Sequence, residues 1–324
     1  MRGRGLLPIV PGAWGVVFVP ITSAEPELWE LELRGLDALL HKPTDDMVAT
    51  LDGGDRGGQL RVDFSQASLQ LAETAHRLDI AVIDDIAALR VVSDRWTTHA
   101  ALADLGEATT FDGRRIQVPR AVLLPDLSPA SVQTITHVSF PCILKPRVAC
   151  GPDAAHELAI VPSEAAALAA GGGPVPLPCV AQQYVRHRGT VHKVYCGVVP
   201  DKDGSPACRI AVQPRMSSPP AESVEQGAVL RFHSLRDMPK GEVVQEGGLD
   251  EELCVIAARR LAQRLQLRLF GFDVVVEDGG AHFIVDVNFL PSLKGVHGAA
   301  EIVDGAVALA IREHEQRKRA RDGP

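Results

Sequence analysis

The sequence predicts an α/β fold, and three observations lead to that prediction. Short apolar runs alternate with amphipathic stretches between residues 36 and 83, the pattern of a parallel strand–helix layer. Farther along the chain, apolar runs come in pairs joined by turn signals, at residues 201–204 and 277–280. The chain has 324 residues and is 46% hydrophobic, which allows two or three small domains around a sizeable core.

Composition argues against several classes of protein. A formal net charge of -8 disfavours a general nucleic-acid binder, and 4% aromatic residues are too few for base-stacking platforms. The 6 scattered cysteines, without a CxxC pair, favour a reducing compartment over disulfides or a zinc site. No apolar run suggests a membrane span, and prolines interrupt the basic, then apolar, start that could otherwise be a signal peptide.

The first part of the chain is predicted to form a small α/β layer. Residues 1–13 lack periodicity and are expected to be disordered. Ser65 has the position of a helix N-cap before an amphipathic stretch. Four glycines indicate that residues 44–60 form a loop. Strands are predicted at residues 14–20, 36–42 and 80–83, and a helix at residues 65–78.

The later elements follow from the same strand and helix signals. Helices are predicted at residues 93–105, 128–135, 163–170, 250–265 and 299–314, with Ser93 or Asp94, and Asp250, as caps. Strands are predicted at residues 121–124, 142–145, 180–185, 190–199 and 210–216. Residues 217–249 are rich in Ser, Pro and Gly and are predicted to be a loop. The basic residues 317–321 are predicted to be a solvated tail, with a nuclear-localisation signal as the alternative.

Two apolar strands joined by a turn are predicted within residues 270–289, and three polar residues interrupt them. Asp286 and Asn288 are two apart and therefore share a face of the second strand. A two- or four-residue turn puts Asp273 of the first strand on that face, whereas a three-residue turn puts it on the other. Buried carboxylates need a partner, and a hard divalent cation held by oxygen ligands is the natural one. The alternative is an ordinary hairpin whose polar residues face water.

A locally basic region precedes this hairpin. Residues 142–216 contain eight Lys or Arg and five Asp or Glu, although the whole chain is acidic, so a polyanionic ligand is expected there. Lys145 ends an apolar strand and Lys193 lies inside another; each could instead be a surface lysine with a buried stem. His156 follows a small-residue loop, where a packing histidine is the alternative to a catalytic one.

Motifs of other nucleotide-binding classes are absent from the sequence, which contains neither GxxxxGK[ST] nor the protein-kinase GxGxxG and HRD patterns. Six segments, in order, instead resemble the inositol 1,3,4-trisphosphate 5/6-kinase (inositol-tetrakisphosphate 1-kinase) family, which has the ATP-grasp fold. The segments are LLHKP (39–43), DDIAALRVVSDRW (84–96), LKPRVACGPDAAHELAIV (144–161), QQYVRHRGTVHKVYCGV (182–198), RLQLRLFGFDVVV (264–276) and DVNFLPSLKGV (286–296).

The resemblance implies a role for each matching residue. The magnesium ligands are Asp273, Asp286 and Asn288, with two ions expected. The ATP-binding residues are Arg95, Lys145, Gln182, Gln183, Tyr184, Val185, Lys193, Arg215 and Ser217, and residues 182–185 form the adenine hinge. The inositol phosphate is held by Lys42, His156, Lys193, Asn288 and Ser292. The residues expected to act on the transferred group are His156, Lys193 and Asp286.

The sequence departs from the family pattern in two places. Ser292 replaces the glycine of Asn-x-Phe-Pro-Gly, which lies beside the substrate. Residues 15–21 match what is normally the second strand of the N-terminal domain. The first strand and helix, which carry a substrate-binding lysine, have no clear counterpart in residues 1–13. Both departures imply a changed substrate preference or a lower activity.

The combined prediction is an α/β ATP-grasp kinase with domains at residues 1–92, 93–185 and 186–324. It would transfer the γ-phosphoryl group of MgATP to a hydroxyl of an inositol tris- or tetrakisphosphate. Arg188 joins the phosphate-holding residues on its charge and position alone. A cytoplasmic monomer without nucleic-acid or membrane partners is expected, with the nucleus as an alternative compartment. Two alternatives remain: an ATP-grasp carboxylate–amine ligase, and a non-catalytic binder of inositol phosphate or nucleotide.

Overall fold

A computed structural model of the chain describes residues 12–52, 59–103, 108–109, 113–169, 175–187, 189–216, 228–236 and 248–323. The helices are α1 (Pro26–Leu33), α2 (Gln66–Arg77), α3 (Ile86–Val92), α4 (Arg95–Ala103), α5 (Pro129–Gln133), α6 (Glu164–Ala169), α7 (Glu251–Leu265) and α8 (Ala299–Asp322). Short 3₁₀ turns cover Pro43–Asp45, Thr134–His137 and Asp153–His156. Within these residues, no helix combines the length and the apolar character needed to cross a membrane.

The strands form two small and two large sheets. They are β1 (Ala38–Leu40), β2 (Met47–Asp52), β3 (Gln59–Phe64), β4 (Ala81–Ile83), β5 (Ala108–Thr109), β6 (Arg115–Gln117), β7 (Ala121–Leu124), β8 (Cys142–Pro146), β9 (Glu157–Val161), β10 (Cys179–Gln183), β11 (Thr190–Pro200), β12 (Pro206–Met216), β13 (Leu230–His233), β14 (Leu269–Val276) and β15 (His282–Phe289). β1 and β4 pair in parallel, and β2 and β3 form an antiparallel hairpin. The mixed α/β architecture agrees with the predicted fold class.

The two large sheets each have their own core. One has the strand order β12-β11-β14-β15-β6-β5, is antiparallel except for β15 with β6, and packs against α7 and α8. The other has the order β13-β9-β8-β10-β7 and is antiparallel throughout. Its core includes Leu124, Leu144 and Ala181, each fully buried. The predicted domain boundaries after residues 92 and 185 stay a prediction.

Side-chain caps start three helices where the sequence predicted them. Ser65 Oγ accepts a hydrogen bond from Ser68 N (3.1 Å) at α2. Asp94, rather than Ser93, caps α4, because its Oδ1 accepts from Trp96 N at 2.9 Å. Asp250 Oδ1 accepts from Glu252 N at 3.0 Å and starts α7. Such caps satisfy helical N–H groups that otherwise have no partner.

Several expected elements differ in the structure. Residues 14–20 are not a strand, since Trp14 N donates to Asp304 Oδ2 of α8 (2.8 Å) and Val19 is 60% exposed. Residues 44–60 are not a continuous loop, because β2 lies there and pairs with β3; the four glycines lie outside the described residues. Helix α3 was not predicted at all. The prediction of disorder concerned residues that lie almost wholly outside the described ones.

The C-terminal half brings two further corrections. The predicted loop at residues 217–249 contains strand β13, whose pairing with β9 is a long-range contact that local composition does not report. Helix α8 was predicted to end near His314 but continues to Asp322. The basic residues 317–321 are exposed, as predicted, but they form the last turns of α8 rather than a tail, and Lys318 Nζ lies 2.8 Å from Asp79 Oδ2.

A buried carboxylate joins the β1–β4 layer to the six-stranded sheet. Asp84 is 2% exposed and follows β4 directly. Its carboxylate accepts hydrogen bonds from Arg268 N (2.9 Å) and Leu269 N (3.2 Å) at the start of β14. Burial raises the pKa of Asp84 to about 7, against the effect of these two N–H groups. The strand that leads to Asp273 is thus fixed at its first residue.

Candidate active site

The six-stranded sheet carries a row of polar residues across four strands. Lys193 of β11 lies opposite Gln213 of β12 on one side and Asp273 of β14 on the other. Asp273 in turn lies opposite Asp286 of β15. Directly opposed residues share a face of a sheet, so all four side chains project from one face. Lys193 Nζ lies 3.1 Å from Asp273 Oδ1, and both side chains are largely buried.

A β-bulge determines which face Asp286 occupies. The turn is closed by Glu277 N donating to Ala281 O (2.8 Å), which leaves three residues, 278–280, between them. A regular ladder from such a turn would put Asp273 and Asp286 on opposite faces. The register shifts after Asp273, however, so that Val274 pairs with Ile284 and Val285 is the extra residue. The prediction of a common face is correct, although the sequence did not reveal the bulge that produces it.

The oxygen atoms gathered at the hairpin are suited to a hard cation. Asn288 Nδ2 donates to Asp286 Oδ2 at 3.3 Å, which brings the amide and the carboxylate together. Carboxylate and amide oxygens are the ligands preferred by Mg²⁺, so this donor set fits that ion. No three His, Cys, Asp or Glu side chains among the described residues form a metal-binding group. The amide oxygen of Asn288, beside Asp286, is available as a further oxygen donor.

Lys145 extends from the five-stranded sheet to the bulge. It lies in β8 and is 8% exposed, and its Nζ donates to the carbonyl of Val285 at 2.9 Å. Burial lowers the pKa of Lys145 to about 8, and nearby Asp286 partly opposes that shift. Val285 is the extra residue of the bulge and has no partner in the ladder, so its carbonyl can accept from Lys145. This hydrogen bond holds the ammonium beside the hairpin carboxylates.

Arg95 organises the segment that follows Lys145. It is the first residue of α4, and its Nη1 donates to Pro146 O and Val148 O, both at 2.7 Å. A third, longer contact at 3.3 Å reaches Ala155 O, next to His156. Burial lowers the pKa of Arg95, while Asp286 acts in the opposite direction. Arg95 lines the cleft as predicted, but it also fixes the backbone on both sides of a loop.

His156 belongs to the wall that faces the hairpin. Its Nδ1 lies 3.2 Å from Ser234 Oγ, and Ser234 N donates to His156 O at 2.9 Å. Ser234 follows β13, which is held beside β9 by four paired positions. Burial is the main cause that lowers the pKa of His156, with smaller contributions from Arg95 and His233. The ring is therefore neutral near pH 7.

These residues surround one cleft of about 370 Å³ between the two large sheets, a volume typical of ligand sites. The predicted residues that line it are Arg95, Lys145, His156, Gln182, Gln183, Tyr184, Val185, Lys193, Asp273, Asp286 and Asn288. Phe232, Ser234, Leu235 and His187 line it as well and were not predicted. For the first three, the only signal was the alternation in Leu230–His233, inside a segment dominated by loop composition.

The expected adenine hinge lies at the end of β10. Gln183 N donates to Arg120 O (2.8 Å), and Tyr184 N donates to Pro141 O (3.2 Å). The carbonyl of Val185 lies 2.7 Å from His187 Nδ1. Two backbone N–H groups of the expected hinge are therefore already bonded within the protein. The side chains of this segment still form one side of the cleft.

The remaining predicted residues do not line the cleft or lie outside the described part of the chain. Lys42 Nζ donates to Leu290 O at 2.7 Å, two residues beyond Asn288. Ser292 is exposed and follows Pro291, which packs so closely over Gly271 that a Cβ there would meet it at 2.9 Å. Neither Lys42 nor Ser292 lines the cleft. The side chain of Arg215, and Arg188 and Ser217 altogether, lie outside the described residues.

The sequence is similar to curated inositol phosphate kinases. It is 31% identical over 312 residues to inositol-tetrakisphosphate 1-kinase 6 of Oryza sativa subsp. indica, covering 90% of this chain and 54% of the relative. It is 25% identical over 295 residues to inositol-tetrakisphosphate 1-kinase of Danio rerio, covering 87% and 68%. The chain thus spans about half the length of the rice relative.

Solved structures resemble this chain in fold alone. D-alanine–D-alanine ligase from Bacillus anthracis, complexed with ATP, has a TM-score of 0.51 at 15% identity, covering 92% of this chain and 87% of the ligase. The ADP complex of PurK, an N5-carboxyaminoimidazole ribonucleotide synthetase, has a TM-score of 0.51 at 14% identity, covering 76% and 59%. A family model described as "Inositol 1,3,4-trisphosphate 5/6-kinase ATP-grasp domain" matches residues 111–304. The chain belongs to the inositol 1,3,4-trisphosphate 5/6-kinase family of ATP-grasp proteins.

Proposed function

We propose that this chain transfers the γ-phosphoryl group of ATP to a hydroxyl of an inositol tris- or tetrakisphosphate. One observation carries the proposal: two carboxylates and an amide on the six-stranded sheet face Lys145 and His156 across a single cleft. Oxygen ligands suit Mg²⁺, and the cations suit two polyanionic substrates. Family membership supports the same reaction.

The donor side of the proposal assigns ATP to the cleft. Asp273, Asp286 and Asn288 would hold Mg²⁺, in two ions as the family resemblance implies. When bound, the metal neutralises charge on the phosphates. Lys145 adds a positive charge beside these ligands, and residues 182–185 would contact the adenine. Arg215 and Ser217 are assigned to the nucleotide on the resemblance alone.

The acceptor side assigns the inositol phosphate to the rim. Lys193 would bind a ring phosphate while it pairs with Asp273, which keeps its ammonium directed into the cleft. Lys42 lies next to the segment that carries Ser292, and both would contact the ring together with Asn288. Arg188 is a further candidate on its charge. Ser292, in place of glycine, would change which phosphates fit.

Phosphoryl transfer of this kind depends on positioning and charge neutralisation more than on a strong base. Neutral His156 can donate a hydrogen bond to an oxygen of the transferred group from the ring nitrogen that Ser234 does not contact. Lys193 and Lys145 approach from opposite sheets. The residues of this chain therefore enclose the reacting groups, and none has to remove a proton in the ground state.

The ligase alternative rests on fold likeness alone, because the Bacillus anthracis ligase and PurK are only 15% and 14% identical to this chain. The relatives recognised at sequence level are kinases. A monomer in the cytoplasm is our proposal for its state and compartment; the six free cysteines support a reducing compartment.

A substrate panel tests the proposal. Purified chain is incubated with MgATP and inositol tris- and tetrakisphosphates, and products are separated by isomer. Asp286→Ala is expected to lose product formation by at least about 1,000-fold, because the metal site and its charge are lost. Glu277→Gln in the nearby turn is the matched control and should keep activity. Undiminished turnover by Asp286→Ala would refute the metal assignment. Tight binding of inositol phosphate or nucleotide without turnover by the wild type would favour the non-catalytic binder. Formation of an acyl phosphate with amino acids would favour the ligase.

A further inference from the structure

The wall that carries His156 is held by contacts that the family resemblance does not assign. The turn at residues 233–236, after β13, lies against the 3₁₀ turn Asp153–His156. Ser234 contacts His156 through its backbone N–H and its hydroxyl. Arg236 Nη2 donates to Asp153 Oδ2, which links the far ends of the two turns. Two segments some 80 residues apart in sequence are thus fastened together at both ends.

His233 lies between these two fastenings. It is 7% exposed, and its ring centroid lies 5.7 Å from that of His156, with an angle of 48° between the rings. Leu235 N donates to His233 Nδ1 at 3.3 Å, so the neutral ring carries its proton on Nε2. His233 Nε2 lies 3.2 Å from Asp153 Oδ1. Nδ1 of His233 thus accepts from the backbone, Nε2 lies near the exposed carboxylate of Asp153 without hydrogen-bond geometry, and the ring lies beside that of His156.

We propose that His233, braced by Asp153, is a positioning residue that holds the imidazole of His156 with Nδ1 toward Ser234 and its other nitrogen toward the cleft. The inference rests on the proposed function, which places His156 beside the transferred phosphoryl group. Such a brace matters because a small misplacement of a group at the reacting centre costs a large factor in rate. Among the described residues, His233 is the one ring in contact with the ring of His156.

The charges around His156 allow the effect of His233 and Asp153 to be measured through the pKa of His156. Burial has the largest effect on the pKa of His156 and lowers it, and Arg95 and His233 lower it further. Asp153 and Asp286 raise that pKa. Removal of His233 should therefore raise the pKa of His156, and removal of the Asp153 charge should lower it. If His233 and Asp153 merely stabilised the fold, their removal would not shift the pKa of His156 in opposite directions.

The test is an NMR titration of the ring nitrogens of His156 in the full chain without substrates. His233→Ala is expected to raise the titration midpoint and to remove the preference for one tautomer. Asp153→Asn should lower the midpoint, and Glu157→Gln, an exposed carboxylate next to His156 in the chain, should leave it nearly unchanged. An unchanged midpoint and tautomer in His233→Ala, or shifts of the same sign in His233→Ala and Asp153→Asn, would overturn the proposal.

Kinetics provide the second readout. His233→Ala should lower kcat by about ten-fold with the KM for ATP within about two-fold, and the acid limb of the kcat profile should move to higher pH. If His233→Ala does not fold, His233→Phe keeps a ring against His156 but loses both nitrogen contacts. This variant should lose about three-fold in kcat and show a less defined tautomer; wild-type behaviour on both counts would overturn the proposal. Because the titration needs no turnover, an inactive wild type would refute the proposed function without deciding the role of His233.

Discussion

The two walls of the cleft are built in different ways. The wall on the six-stranded sheet takes Asp273, Asp286 and Asn288 from one hairpin, within 16 residues of sequence, and adds Lys193 from the next strand. The opposite wall joins Lys145 and His156 to Ser234, which lies 78 residues from His156. The hairpin wall is therefore specified locally, whereas the wall around His156 exists only once distant segments have paired.

Lys145 connects the two walls. Its removal should have the largest effect on activity after the loss of a hairpin carboxylate. Lys145→Met should lower kcat/KM for ATP by about 100- to 1,000-fold, since a buried charge beside the phosphates is lost. In the wild type, kcat/KM for ATP should fall as pH rises above about 8, because the ammonium loses its proton there. Lys145→Arg should be slower but should lack this alkaline limb, since arginine stays charged. Steady-state kinetics from pH 6.5 to about 9.5 check both expectations, and an alkaline limb retained in Lys145→Arg would contradict them.

Substitution of Arg95 tests whether the wall around His156 depends on the hydrogen bonds that Arg95 makes to backbone carbonyls. Arg95→Lys keeps the charge but cannot donate to all of the carbonyls that Arg95 contacts, so we expect a loss of about ten-fold in kcat/KM. Arg147→Lys is the matched control, because Arg147 is more exposed and its Nε pairs with Asp94. The control should stay within about two-fold. Equal losses of kcat/KM in both variants would mean that the carbonyl contacts of Arg95 contribute no more to activity than the exposed ion pair of Arg147.

Asp84 tests the anchoring of the hairpin wall, with the smallest expected effect on rate. Asp84→Ala leaves the N–H groups of Arg268 and Leu269 without their acceptor, which should cost about 1–3 kcal/mol of unfolding free energy. The folded-state pKa of Asp84 is raised to about 7, so its contribution is largest below about pH 4 and declines as pH rises to about 7. Urea unfolding at pH 5 and pH 8 should therefore show the larger loss at pH 5.

Asp37→Ala is the control for that experiment. Asp37 is exposed and lies just before β1, so its removal should change stability by no more than about 0.5 kcal/mol at either pH. A loss in Asp84→Ala that is larger at pH 8 than at pH 5 would contradict the assigned direction of the pKa.

The hairpin wall is also the part of the site that could be predicted from the sequence. Asp286 and Asn288 share a face because of strand periodicity, and the caps Ser65 and Asp250 follow from residue type at a helix start. Strand β13 could not be predicted, because its four residues form a strand only through pairing with β9. The many carbonyl contacts of Arg95 have no sequence signal either, since any carbonyl can accept.

The bulge at Val285 also bears on how this hairpin tolerates changes in length. Deletion of Val285 would leave a regular ladder in which the three-residue turn and the facing of Asp273 and Asp286 are both retained. Lys145, however, would lose the carbonyl to which it donates. Deletion of one residue from the turn would instead leave the bulge in place as long as Glu277 still pairs with Ala281, because Asp273 lies four residues and Asp286 five residues from that pair. The bulge therefore reflects the unequal lengths of the two strand segments, and relatives in which these segments are equal in length should pair the strands without a bulge.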